Sequence, residues 1–236
     1  NDRVVRDLTA AVFSSQPPEF LDFFPESHFV IERVQRGQKL FNENCAHCHG
    51  QYIKGYERAD VSGMSPRELL STVKVNYHTS TPVVNVGTDP LRAQGMEALA
   101  EPLNNLDISK KNGIVVKVQN GYVPPPLVGI WARWPYLHNN SVPSLCALLV
   151  PSALRPVAWH AGEARSRETD FDIECNGYPL GEKAPQQWKK NRSAYFDSRR
   201  KGLGNQGHDE GIFSDGGVSR FSRQDVLDLV RFLQTL

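Results

Sequence analysis

The five residues Cys45-Ala46-His47-Cys48-His49 constrain this chain more than any other feature. Two thiols three positions apart, followed at once by a histidine, form the pattern that attaches a c-type haem. The spacing follows from the chemistry. Both thiols must reach the vinyl groups on one edge of a porphyrin, and the adjoining imidazole is then held beneath the iron, where a ring nitrogen can ligate it. Composition alone would place this pattern somewhere in the chain about once or twice in a thousand. A zinc site needs four closed ligands, but Cys146 and Cys175 stand far apart and no His-x3-5-His pair follows. A redox dithiol wants a βαβ setting, whereas this motif follows a helical stretch and precedes Gly50. One haem c on Cys45 and Cys48 is therefore expected, with His49 as its proximal ligand and His47 as a solvent-facing spacer.

Haem c implies an exported chain, because the thioethers are made on the oxidising side of a membrane. The expected location is periplasmic, with the export signal already removed, since no charged and apolar leader precedes Asn1. That compartment permits a disulfide between Cys146 and Cys175; the alternative is two separate buried thiols. Lys+Arg 27 against Asp+Glu 26 leaves a net charge of +1, which argues against a nucleic-acid binder. No apolar run approaches the roughly 20 residues of a transmembrane segment. The expected partner is a redox protein, or a larger electron-transfer assembly.

Periodicity gives a mainly α chain. Ile31, Val34, Leu40 and Phe41 mark one face of a helix that runs into the haem motif. Ser65-Pro66-Arg67-Glu68 is a capping box that starts a helix through about Val75. Asp89-Pro90 starts another through about Leu103, and Ser222 caps a last helix striped by Val226, Leu229, Val230 and Leu233. Strands are expected at Ile114–Val118 and Phe171–Cys175, with Val157–His160 pairing to the second. Residues 1–30, with Pro17-Pro18 and four phenylalanines, read as an N-terminal arm. Residues 31–236 read as a single cytochrome c-like haem domain with long irregular loops and a few short β-strands. Residues 176–211 carry little apolar periodicity, and loops that long in a compact domain are usually functional or mobile.

The iron's second face decides between electron transfer and catalysis. From the residues, His208 ranks first, in the glycine-rich run Gly202-Leu203-Gly204-Asn205-Gln206-Gly207-His208; Met64 and His138 follow. His28, His78, Met96 and His160 complete the candidates. Trp131, Arg133 and Tyr136 are candidates for shielding the ring or contacting its propionates.

The stretch from Pro124 to Leu145, which includes Trp134-Pro135-Tyr136-Leu137-His138-Asn139-Asn140, resembles the C-terminal haem domain of cytochromes related to the rubber oxygenases. Those are distant relatives of the di-haem cytochrome c peroxidases. Val86-Gly87-Thr88-Asp89-Pro90, Arg155-Pro156 and Gly204-Asn205-Gln206-Gly207-His208 match in order, so the similarity runs from about residue 36 to residue 236. The resemblance implies the same fold and His208 as the ligand opposite His49. Two positions depart from the pattern: Asn140 stands where a glycine is usual, and Trp134 where a smaller residue is usual. The family's oxygen- or peroxide-activating haem is bound by a domain outside this stretch, so the fold and ligation carry over and the oxygenase activity does not.

Two functions of different class follow. One is an electron carrier with a closed His/His iron. The other is a peroxidase- or oxygenase-type enzyme with an open iron and a nearby acid–base group, for which His138, His160 and Glu174 are the candidates. Both require the covalent haem. A chain produced with the haem-attachment machinery should therefore outweigh the bare polypeptide by one haem, by mass spectrometry; the Cys45→Ala/Cys48→Ala double variant should have the bare mass.

Overall fold

The computed structural model describes residues 2–80 and 82–236; Asn1, the first residue of the expected arm, lies outside them. In chain order the regular elements are α1 (Asp2–Ser14), α2 (Ile31–Asn44), α3 (Ala46–His49), β1 (Gln51–Lys54), α4 (Pro66–Leu70), β2 (Thr72–Asn76), α5 (Leu91–Asn104), α6 (Asp107–Asn112), α7 (Leu145–Leu148), β3 (Ala158–His160), α8 (Gln186–Lys189), β4 (Tyr195–Asp197), β5 (Ser214–Asp215), β6 (Val218–Ser219) and α9 (Arg223–Leu233). The chain is mainly helical, and its strands form three separate antiparallel pairs, β1–β2, β3–β4 and β5–β6. Among the described residues no helix is long and apolar enough to cross a membrane.

The core is the crossing of α2 and α9. Val34 and Phe41 from α2 bury against Leu229, Val230 and Phe232 from α9, and the rings of Phe41 and Phe232 lie 5.2 Å apart. The approach is close because position 37 has no side chain. A Cβ there would stand 2.0 Å from the Asp228 carbonyl oxygen and 2.9 Å from the Phe232 Cβ. Beside the contact, the Asp228 carboxylate accepts hydrogen bonds from Arg33 at 2.7 Å and Arg36 at 2.8 Å. Ser222 caps α9 by accepting from the Asp225 amide. The haem motif sits on the turn where α2 ends and α3 begins, so the crossing fixes where it points.

Three expected elements are corrected. The helix begun by the Ser65 capping box ends at Leu70, and Thr72–Asn76 is a strand paired with Gln51–Lys54. The β-branched residues Thr72, Val73 and Val75 favour a strand once a partner lies beside them. Phe171–Cys175 is a turn. The Asp172 carboxylate accepts from the amides of Glu174 and Cys175, Asp172 and Gly177 bridge across it, and Cys175 is bonded to Cys146. Ala158–His160 therefore pairs with Tyr195–Asp197 instead. Ile114–Val118 forms no ladder: Val116 exchanges hydrogen bonds with the Asn104 side chain rather than with a strand.

The stretch with little periodicity is ordered by aromatic packing. Tyr178 lies against Trp134, Trp159 and Trp188 at ring separations of 4.6 to 5.5 Å, and Trp159 stacks on Phe196 across β3–β4 at 5.1 Å. Trp134, one of the two departures from the resemblance pattern, is one wall of this cluster. Along residues 1–30, α1 buries no residue, whereas Phe20 is buried against Phe24, Phe29 and Trp131.

A lysine is sealed in this interior. Lys54 is fully buried; its ammonium donates to Thr72 Oγ1 at 2.9 Å and to the Thr235 carbonyl, just past α9, at 2.6 Å. Burial pushes its pKa down to about 7.

Overpacking a tight crossing costs about 1–3 kcal/mol. Gly37→Ala should lose at least that much in urea unfolding, because the obstructing atoms are backbone; a midpoint within error of the native chain would show that the helices part freely.

Candidate functional site

The motif cysteines stand at the C-terminal end of α2 and in α3, and both thiols are free. Burial, with the neighbouring Cys48, pushes the Cys45 thiol up to about 12, and burial also raises Cys48. A redox dithiol or thiolate metal site needs the opposite shift. Among the described residues, no group of three or more His, Cys, Asp or Glu side chains converges as a metal cage. Protonated thiols on a tight turn, followed by a histidine, remain the donor set for thioether attachment.

The His49 ring is oriented by its surroundings. Its Nδ1 donates to the Pro125 carbonyl at 2.9 Å, which fixes the tautomer and leaves the Nε2 lone pair free for a metal. Tyr52 holds that carbonyl in range. Its hydroxyl donates to the His49 carbonyl at 3.1 Å and accepts from the Leu127 amide at 2.5 Å, tying the motif to the segment that carries Pro125. Tyr77 donates to the Pro124 carbonyl beside it.

Opposite stands His208. The two imidazole rings lie 6.4 Å apart, centre to centre, with their planes 16° apart. A metal–nitrogen bond of about 2 Å on each side, plus about 1 Å from each nitrogen to its ring centre, gives about 6 Å for two imidazoles sharing one metal. Burial, with His49 and Arg155 nearby, pushes His208 down to about 4, and burial lowers His49 as well. Both rings are therefore neutral at pH 7, the form that ligates. Nδ1 of His208 is buried with no hydrogen-bond partner. These features fit a haem iron between the two rings.

His208 itself has φ 52°, a conformation few non-glycine residues adopt. Neighbouring segments hold it there. Its amide donates to the Val86 carbonyl at 2.8 Å, and the Asn139 amide group donates to the carbonyls of Gly202 at 3.1 Å and Gly204 at 2.8 Å. The Asp89 carboxylate accepts from the Gly204 amide at 3.3 Å. Arg155 reaches the Asn205 carbonyl, and the Asn205 side chain donates back to Pro156. A Cβ on Gly207 would stand 2.5 Å from Thr88 Cγ2.

The other candidates have partners of their own. His138 hydrogen-bonds Tyr122 at 3.1 Å and His28 meets Gln234 at 3.1 Å. His78 meets the Cys48 carbonyl at 3.2 Å, and His160 packs on Tyr195. Glu174 pairs with Arg231 at 2.5 Å. Met64 follows a turn before α4, and Met96 is half-buried within α5. The Trp131 indole donates to the Pro18 carbonyl at 2.8 Å, beneath the phenylalanine cluster. Arg133 is exposed and donates to the Val128 carbonyl at 2.9 Å. The buried Tyr136 hydroxyl accepts from Asn176 at 2.7 Å and donates to the Ile130 carbonyl at 3.3 Å. For Tyr52, Asn139, Asp89 and Arg155 the sequence carries no signal beyond position: Tyr52 lies three residues past the motif, and the other three fall inside the matching segments.

Two family models match the chain: cytochrome c over residues 34–114, and the RoxA-like, cytochrome c-like model over residues 121–160. Together they support a c-type cytochrome that resembles the RoxA-like haem domains, with covalently bound haem c. Two proteins of Sinorhizobium fredii are similar. The uncharacterized protein y4iM is 28% identical, over 92% of this chain and 52% of its own length. The uncharacterized protein y4iJ is 34% identical, over 58% of this chain and 21% of its own length. The chain thus spans about half the length of the first and a fifth of the second.

Asn140, which stands where a glycine is usual, has φ 58°. The departure keeps the left-handed turn, since asparagine tolerates that region better than most side chains. Asn140→Gly should be nearly neutral and Asn140→Val should cost about 1–2 kcal/mol, read by thermal unfolding; equal stabilities would mean that the turn does not require this conformation.

Proposed function

We propose that the chain is an exported, periplasmic mono-haem cytochrome that transfers single electrons, with His49 and His208 as the two axial ligands. The observation that carries this reading is the facing pair of neutral imidazoles at a separation suited to one shared metal. When bound, the haem supplies a one-electron Fe(III)/Fe(II) couple.

The chain's residues do the rest. Cys45 and Cys48 anchor the ring. The Pro125 carbonyl, by accepting from His49 Nδ1, keeps that imidazole oriented and raises its basicity. The glycine-rich loop brings His208 over the other side and excludes water and peroxide from it. Two imidazoles donate more to Fe(III) than a histidine and a methionine do, so the potential lies below that of His/Met cytochromes. The Cys146–Cys175 bridge supports an oxidising compartment. The partner is a second redox protein, or a larger electron-transfer assembly.

The enzyme alternative needs an open iron beside a free acid–base group. Of its candidates, His138 hydrogen-bonds Tyr122, Glu174 pairs with Arg231 and His160 packs on the Tyr195 ring, and on the His/His reading His208 takes the position an oxidant would need.

The oxidised protein should give a low-spin absorption and EPR spectrum, and His208→Gly should convert it to high-spin and admit peroxide. A high-spin native protein, or a His208→Gly spectrum identical to the native one, would sink the His/His assignment.

A further inference from the structure

Arg155 is 3% exposed and sits between the turn after α7 and the loop that carries His208. Its guanidinium uses each of its nitrogens on a backbone carbonyl. Nη1 donates to Asn205 at 2.5 Å, Nη2 to Leu148 at 3.2 Å and Nε to Val150 at 3.2 Å. The first carbonyl belongs to the ligand loop, the second to the last residue of α7 and the third to the turn that follows it. The loop answers in kind: the Asn205 amide group donates to the Pro156 carbonyl at 3.1 Å, and the Asp209 carboxylate accepts from the Ser152 amide at 3.1 Å. Residues 205 and 209, on either side of His208, are thus tied to residues 152–156, and the guanidinium is the branched member of that set.

Burying a guanidinium against carbonyls alone is costly. Burial pulls Arg155 down to about 10, and Asp209 offsets this from longer range. A guanidinium is a permanent cation, and its bond to the Asn205 carbonyl places that charge against the ligand loop three residues from His208. A lone structural tie would serve with a neutral donor; here a full cation faces the ligand loop from inside.

We propose that Arg155 is the positioning residue of the distal ligand, latching the His208 loop shut and raising the haem potential through its buried charge. This rests on the His/His reading above. The latch follows from geometry: three donors in one plane connect two segments that share no regular element. The effect on potential follows from electrostatics, since a fixed positive charge in a low-dielectric interior disfavours Fe(III) more than Fe(II).

The test uses the haem-loaded chain, with cyanide ion as the probe of loop opening, because cyanide reaches Fe(III) only after His208 leaves. Arg155→Met, which removes charge and fork, should bind cyanide at least tenfold faster than the native chain. Its reduction potential should fall below that of Arg155→Lys, which keeps the charge and loses the fork. Arg155→Lys should bind cyanide at an intermediate rate. A cyanide rate within twofold of native for Arg155→Met, or equal potentials in the two variants, overturns the proposal. If Arg155→Met does not fold, Arg155→Lys decides alone: threefold faster entry with a near-native potential supports it, and a native rate or a markedly lower potential overturns it. A native protein that is already high-spin overturns the His/His reading and this proposal together. A low-spin native protein with unmoved variants overturns only the latch.

Discussion

The rest of the molecule depends on two helices lying as close as backbone allows. With no side chain at position 37, the carbonyl of Asp228 and the Cβ of Phe232 occupy the space a Cβ would fill. That contact sets the direction of α2, and α2 delivers Cys45 at its last turn. Everything that a porphyrin requires of its proximal side follows from one helix end in a fixed place. Tyr52 then transmits that placement to residues 124–127 through its hydroxyl, so the carbonyl that orients His49 is located by the same crossing.

The distal side is built differently. No helix or strand carries His208; irregular backbone does, in a conformation that costs energy. Its position is over-determined by groups drawn from three remote parts of the chain, Val86 and Asp89, Asn139, and Arg155 and Pro156, acting on the loop's own backbone. Strained backbone persists where surrounding contacts define it this fully. The segments that carry the resemblance, though scattered along the chain, are in large part the parts of one clamp.

The haem motif was legible because covalent chemistry dictates its spacing, and the terminal helices because their apolar stripes repeat at helical period. The strand at Thr72–Asn76 was hidden by the strong helix start just before it, and only a partner twenty residues earlier makes it a strand. The alternation at Phe171–Cys175 mimicked a strand, yet Asp172 captures two amides and Cys175 is tethered to Cys146. The order within residues 176–211 was invisible for another reason. Aromatic side chains meeting from separate segments, as Trp134, Trp159 and Trp188 meet on Tyr178, leave no periodic trace. Clamp residues such as Asn139 act through backbone carbonyls, which any sequence possesses, so nothing in their neighbours' identities announces the bond.

The sealed Lys54 has a consequence for the order in which the molecule can assemble. Its acceptor on the far side is the carbonyl of Thr235, nearly two hundred residues downstream. Until that last turn docks, β1 can be sealed only by burying its amine without this acceptor. Closure around β1 is thus tied to docking of the chain's last turn.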